Sequence, residues 1–117
     1  MRTILTAAIV ALAFFASAVA ADAAPFGAIA SSASGAFGYS GDQATLYRAE
    51  AVALYNCRAR TRYYCAVRIW WAGYGMCGAL ARNYGRQGWG YGRGGYRARV
   101  NALSGAGGGY ILVTACN

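Results

Sequence analysis

Three kinds of side chain in this sequence could do chemistry: arginines, cysteines and a very small number of acids. All 11 cationic residues are arginine, histidine is absent, and the acids are Asp22, Asp42 and Glu50. Without histidine there is no Ser-His-Asp or Cys-His catalysis and no His-ligated metal. Three acids leave little scope for paired carboxylates that act as acid and base. The composition therefore favours a non-catalytic protein that holds no metal and no cofactor.

The arginines give the chain a net charge of +8 and are interleaved with tyrosine and tryptophan. A guanidinium group binds phosphate or carboxylate through two parallel hydrogen bonds, and it also stacks on aromatic rings. The candidate anion contacts are Arg58, Arg60, Arg62, Arg86, Arg93, Arg97 and Arg99. The candidate aromatic contacts are Tyr63, Tyr64, Trp70 and Tyr91. The alternative is an ordinary solvated surface whose charge keeps the protein soluble.

The first 23 residues have the features of a secretory signal peptide. Arg2 precedes an uncharged apolar run that ends in small residues, which is the pattern of a cleaved signal. The alternative is a membrane anchor, since the run is just long enough to span a bilayer, but it is rich in alanine and no basic cluster follows it. We therefore predict cleavage after Ala20 or Ala23, with no transmembrane segment left, and a secreted or periplasmic product.

The four cysteines are Cys57, Cys65, Cys77 and Cys116. An even number in a small exported domain predicts two disulfides. Their spacings of 8, 12 and 39 residues do not suit zinc, whose ligands come in closely spaced pairs. Four cysteines allow three pairings, and the internal repeat described next favours Cys57–Cys65 with Cys77–Cys116.

The chain contains an internal repeat, residues 26–71 and 77–116. Residues 27–30 recur as 78–81, residues 37–39 as 89–91, and parts of 48–54 as 97–103. Such self-similarity is typical of two copies of one structural unit. Cys57 and Cys65 have counterparts near Ala106 and Ile111 that are not cysteine, so the two behave as one bridge, absent as a unit from the second copy.

Each half predicts two strands, a helix and a third strand. The strands are expected at 26–31, 36–40 and 64–71, then at 77–82, 88–92 and 110–116, with helices at 43–57 and 95–104. Asp42 is the expected helix N-cap and Gly105 the expected stop. Alternation would place Cys65, Val67, Ile69 and Trp71 on one side, so one of Trp70 and Trp71 should be core. The expected fold class is α+β. It consists of a small sheet built from two similar ββαβ halves, with the helices packed on one face and with disulfide cross-links.

The glycine-rich segment 90–97 matches two known sequence patterns and so raises two functional hypotheses. It matches the dinucleotide pattern G-x-G-x-x-G, but no acid follows Glu50, so a glycine-rich hairpin is favoured. It also resembles an RGG segment that binds single-stranded nucleic acid. A single short segment in an exported protein favours Trp89 and Tyr91 packing on a sheet instead. We expect no specific nucleic-acid partner.

Four stretches together resemble the exported DUF4189 family: residues 26–30, 35–40, 49–57 and 77–81. They consist of structural glycines, small residues and cysteines. The resemblance implies one secreted or periplasmic α+β domain, residues 24–117, built from two similar halves. It implies no assigned activity and no catalytic residue.

These observations predict an exported, basic, non-catalytic interaction protein. An Arg/Tyr-rich surface would contact an anionic polymer of the cell envelope, a membrane surface or a partner protein. One alternative is a secreted effector or inhibitor that acts on a protein. The other is a small hydrolase that uses Asp42 or Glu50.

Overall fold

The computed structural model describes residues 24–117, so the predicted signal peptide lies outside the described residues. The elements are β1 Phe26–Ser32, β2 Phe37–Gln43, α1 Leu46–Arg58, β3 Cys65–Ala72, β4 Met76–Asn83, β5 Arg86–Arg93, α2 Gly95–Ala106 and β6 Tyr110–Cys116. Every predicted strand and helix is present, with bounds shifted by three residues or fewer. The α+β class and the two ββαβ halves are confirmed.

The two halves form two separate three-stranded sheets, in the orders β2-β1-β3 and β5-β4-β6, with every pair antiparallel. This differs from the expected single sheet with both helices on one face. Each central strand is buried on both sides, so each sheet needs two covers. Its own helix covers one face, and the other sheet covers the second. The layers are therefore helix, sheet, sheet, helix, with the helices outermost.

Small residues let each helix approach its sheet closely. A stripe of fully buried residues faces the sheet in each helix: Ala49, Ala53 and Cys57 in α1, and Ala98, Ala102 and Ala106 in α2. Gly38, Gly88 and Gly90 lie opposite, where an added Cβ would collide with helix backbone. The regular spacing of alanine in the helices and of glycine in the strands thus allows each helix to pack closely on its sheet.

One tryptophan fills the space between the sheets. Trp71 is 1% exposed and packs with Ile29, Leu80 and Ala115. Its ring lies against Gly27 and Gly78, which are equivalent positions of the repeat, and a Cβ on either would clash with it. Gly27 pairs with Trp71 and Gly78 pairs with Ala115, so the small Ala115 stands where the second half would have its tryptophan. The prediction that one of the two tryptophans is core is confirmed, because Trp71 is buried whereas its neighbour Trp70 is 49% exposed.

A bulge occurs at the same place in both halves. The pairing shifts register after Ile29 in the first sheet and after Leu80 in the second, which leaves Arg68 and Leu112 as extra residues. The predicted alternation in β3 is wrong beyond the bulge. The extra residue there reverses the face of the sheet to which the side chains after it point. Cys65 and Val67 face α1, whereas Ile69 and Trp71 face the other sheet.

The helix ends differ from the sequence expectation. The N-cap of α1 is Thr45, whose hydroxyl accepts from the Arg48 backbone N–H (3.1 Å). Asp42 instead lies in β2 with φ +53°, in an irregular stretch of that strand, so it cannot cap. Helix α2 runs through Gly105 to Ala106, and its C-cap is Gly107, which adopts the left-handed conformation (φ 75°) that glycine tolerates best.

Both predicted disulfides are present, Cys57–Cys65 and Cys77–Cys116. The first joins the end of α1 to the start of β3, and the second joins directly paired residues of β4 and β6. The register makes Ile111 the counterpart of Val67, so the position equivalent to Cys65 is near Gly109. No helix within residues 24–117 is long and apolar enough to cross a membrane.

Candidate functional site

The arginines of the described chain fall into three groups. The first, the end group, surrounds neighbouring loops at one end of the molecule: Arg58, Arg60, Arg62, Arg82 and Arg86. These loops meet because Ser34 contacts Thr61 (3.2 Å between hydroxyl oxygens) and its carbonyl accepts from Arg82 (3.5 Å). The second group, Arg68, Arg93 and Arg97, lines a depression described next. The third, Arg48 and Arg99, is exposed on the helices.

The depression lies between β3 and β5, which are edge strands of the two stacked sheets. It has two adjoining parts of about 670 and about 510 Å³ that share Arg68, Ile69 and Tyr91. We call it the edge cleft. The larger part is lined by Arg68, Ile69, Trp89, Gly90, Tyr91, Gly92, Arg93, Arg97 and Asn101. The smaller part is lined by Arg68, Ile69, Trp70, Trp71, Ala72, Met76 and Tyr91.

The guanidinium of Arg68 is fixed between the sheets. Its Nε donates to the Ser31 hydroxyl (3.0 Å) and one terminal nitrogen donates to the Ser31 carbonyl (3.2 Å). Ser31, which is fully buried, donates to the Gln87 side chain (2.6 Å), and Gln87 donates to the Ser32 carbonyl (2.8 Å). The guanidinium also lies 5.6 Å from the centre of the Trp89 ring, within cation–π range. A network of hydrogen-bonded groups therefore holds this charge in the lining of the edge cleft.

Helix α2 supplies the opposite wall of the cleft. Gly90 and Gly92 have no side chain on the helix side, so Arg97 and Asn101 come close to β5. The Asn101 amide donates to the Tyr91 carbonyl (2.9 Å). Arg97 and Asn101 are four residues apart and share one helix face. The glycines that looked like a nucleotide motif thus serve to bring a charged helix face to a strand edge.

The edge cleft has the chemistry of an anion site with aromatic walls. Among its lining residues there are three arginines and neither aspartate nor glutamate. The Trp89 side chain is 41% exposed and that of Tyr91 is 55% exposed, so part of each ring is available for contact. Such a surface can hold a carboxylate, sulfate or phosphate by charge-assisted hydrogen bonds and a flat group by stacking.

The two acids proposed for hydrolysis lie on different elements. Asp42 lies on β2, and Glu50 lies on α1 in a separate groove of about 660 Å³ with Tyr47, Leu54, Tyr55 and Arg58. Neither lines the edge cleft. Within residues 24–117 no three side chains of His, Cys, Asp and Glu are grouped so that they could hold a metal ion.

The predicted contact residues are divided between sites. Four of them, Arg93, Arg97, Trp70 and Tyr91, line the edge cleft. The others lie elsewhere: Arg58, Arg60, Arg62 and Arg86 in the end group, Tyr63 and Tyr64 exposed in the loop before β3, and Arg99 on α2. Sequence reasoning missed Arg68, Trp89 and Asn101. Arg68 carried a usable signal, because a charged residue interrupts an otherwise apolar strand.

The comparisons with known proteins agree with this architecture. Residues 26–116 match the family model described as a domain of unknown function, DUF4189. The fold is similar to the NMR structure of Rv1813c from Mycobacterium tuberculosis, with a TM-score of 0.62 and 35% identity over 80% of this chain and 75% of that chain. A comparison with curated proteins found no match. Since the family match spans nearly all of the described residues, the chain belongs to the DUF4189 family.

Proposed function

We propose that this protein is an exported, non-catalytic binding protein that holds an anionic component of the cell envelope in its edge cleft. The observation that carries the proposal is the grouping of Arg68, Arg93 and Arg97 beside exposed Trp89 and Tyr91 with no carboxylate among them. Three cations without a neighbouring anion attract a ligand that supplies the missing charge.

The electrostatics of the whole chain support the same function. Ten of the 11 arginines follow the predicted signal peptide, and the resulting positive charge draws polyanions towards the exported protein. That long-range attraction does not select a site. Selection comes from the edge cleft, where Arg68 is already fixed by Ser31 and loses little freedom on binding.

Export is part of the proposal and rests on two features. Disulfides persist in oxidising compartments, and both pairs of cysteines are bridged here. The first 23 residues have the signal-peptide pattern described above. Mass spectrometry of the product from fractionated cells tests this: we expect an N-terminus at Ala21 or Ala24 and no free thiol. An uncleaved chain with reduced cysteines in the cytoplasm would contradict export.

A binding role is preferred to hydrolysis because Asp42 and Glu50 lie on different elements, neither lines the edge cleft, and histidine is absent. If a hydrolase activity were found, replacing both Asp42 and Glu50 by their amides should abolish it. A role as an effector or inhibitor of another protein is the second candidate. The observation that favours it is the exposure of large polar aromatics such as Tyr47, Tyr64 and Tyr84, which are 82, 82 and 92% exposed.

The central experiment is binding of the oxidised protein to immobilised dextran sulfate over a series of salt concentrations. We expect affinity to fall steeply with salt, and the double variant Arg93→Ala/Arg97→Ala to lose about ten-fold or more. The matched control is Arg48→Ala/Arg99→Ala, which removes the same charge from exposed helix positions and should lose about three-fold or less. Equal losses in the two variants, or binding that salt does not change, would contradict an anion site in the edge cleft.

A further inference from the structure

The edge cleft is bordered by two free strand edges. β3 and β5 are each the last strand of a three-stranded sheet, on the same side of the molecule. In an edge strand every second residue turns its N–H and C=O away from the sheet, where another strand can pair with them. The Tyr91 carbonyl accepts from the Asn101 side chain rather than from a further strand. Backbone hydrogen-bonding groups are therefore part of this surface, beside the arginines.

Among the four edge strands, β5 has the pairing best suited to accept a further strand. Bulges and register shifts protect edges from pairing with other chains. β2, β3 and β6 each pair with their central strand through a register shift. β5 pairs with β4 without interruption over eight residues, from Arg86 to Arg93. It also contains no proline, so no N–H is missing from its length.

Charge decides what kind of strand can be added there. Arg93 lies at one end of β5, Arg97 stands over it on α2, and Arg68 lies across the cleft on the other sheet. A second copy of this chain would bring like charges together, which destabilises a strand pair. A segment with carboxylates at alternate positions would place them on the face of the sheet that carries Trp89, Tyr91 and Arg93, beside Arg93 and Arg68. The residues in between would face α2, where Arg97 stands over Gly92.

We propose that β5 accepts an extended acidic segment of a partner protein as an added strand, with its carboxylates held by Arg68 and Arg93, and with Arg97 beside its opposite face. The inference rests on the proposed function, because it uses the same cleft, and it names the partner as a protein rather than a polysaccharide or lipid. Backbone pairing supplies affinity in this mode, and the side chains supply selectivity. Binding displaces the Asn101 amide from the Tyr91 carbonyl.

The test compares three probes that share negative charge but differ in backbone. The first is a peptide of about ten residues with alternating Glu and Val, a length that covers one strand. The second is the same peptide N-methylated at every second residue on the edge that faces β5, which keeps the charge and removes the N–H donors. The third is dextran sulfate. Affinities are measured for the wild type, Arg93→Ala/Arg97→Ala and Arg48→Ala/Arg99→Ala.

We expect the first peptide to bind, and N-methylation to weaken binding by about ten-fold or more, since several backbone hydrogen bonds are lost. The Arg93→Ala/Arg97→Ala variant should lose a similar factor and the control variant little. Hydrogen exchange should slow at the backbone amides of Trp89, Tyr91 and Arg93 when the peptide is bound. A slowing confined to these amides distinguishes strand addition from general stabilisation.

Two results would overturn strand addition and leave the proposed function intact. One is equal binding of the methylated and parent peptides. The other is binding of dextran sulfate through Arg93 and Arg97 with no binding of either peptide. Loss of the dependence on Arg93 and Arg97 for every probe would instead contradict the proposed function itself.

Discussion

Replacing Trp71 by alanine tests whether one ring holds the two sheets together. The ring is 1% exposed and lies between Gly27 and Gly78, whose backbones cannot move inward without distorting both central strands. A buried aromatic removes about 150–250 Å² from water, and truncating it to alanine costs about 3–5 kcal/mol.

One effect offsets part of that cost. Within residues 24–117 the Trp71 Nε1–H has no hydrogen-bond partner. Removing an unpaired buried donor returns about 1–3 kcal/mol. We therefore expect Trp71→Ala to lower the free energy of unfolding by about 2 kcal/mol, because the cost of truncation already includes the cavity left behind. In a domain of this size that lowers Tm by roughly 8–16 °C. Trp71→Phe keeps most of the ring and removes the donor, so its cost should be about 1 kcal/mol or less.

The assay is urea denaturation followed by far-ultraviolet circular dichroism with the disulfides intact. The adjacent Trp70→Ala is the control, because its ring is 49% exposed and its removal should cost only about 1 kcal/mol. Tryptophan fluorescence adds a second readout, since the blue-shifted part of the emission should disappear with Trp71 and remain without Trp70. A cost for Trp70→Ala equal to or above that of Trp71→Ala would refute the two-sheet packing.

Three further changes test other parts of the fold. Gly78→Ala should destabilise the protein by about 2 kcal/mol, because the added Cβ meets the Trp71 ring. The control Gly85→Ala has open space around it and should change stability by about 0.5 kcal/mol or less. Equal effects of the two substitutions in thermal melts would contradict the packing. Thr45→Ala should cost about 1 kcal/mol through loss of the N-cap, measured by the same melts, and no change would contradict that cap. Removing Cys77–Cys116 should cost about 3.9 kcal/mol and removing Cys57–Cys65 about 2.6 kcal/mol, from the chain entropy of loops of different length; the reverse order in denaturation would count against the pairing.

The sequence contained enough to predict the repeat and the elements, because periodicity and small-residue spacing are local properties. The recurrence of residues 27–30 as 78–81 placed both central strands, and the absence of one cysteine pair from the second copy of the repeat predicted the correct bridges. One of the adjacent strand residues Trp70 and Trp71 could be assigned to the core. These inferences needed no knowledge of how the halves meet.

What could not be predicted depends on three-dimensional packing. Two apolar faces on each central strand are compatible either with one covered sheet or with two stacked sheets, and only contacts such as Trp71 against Gly78 decide between them. The bulge at Arg68 could not be placed either, because alternation read from sequence assumes an uninterrupted strand. The edge cleft follows from both, so Arg68 and Trp89 were missed even though Arg93 and Arg97 were anticipated.

The most direct measurement of the central claim is a two-dimensional nitrogen–proton NMR titration of the oxidised protein with a short dextran sulfate. We expect the largest shifts at the Trp89 indole N–H, at the Arg68, Arg93 and Arg97 side-chain Nε–H signals and along β5. The loop that carries Arg60 and Arg62 should shift little. Largest shifts in that loop, with the signals of the edge cleft unchanged, would contradict the account.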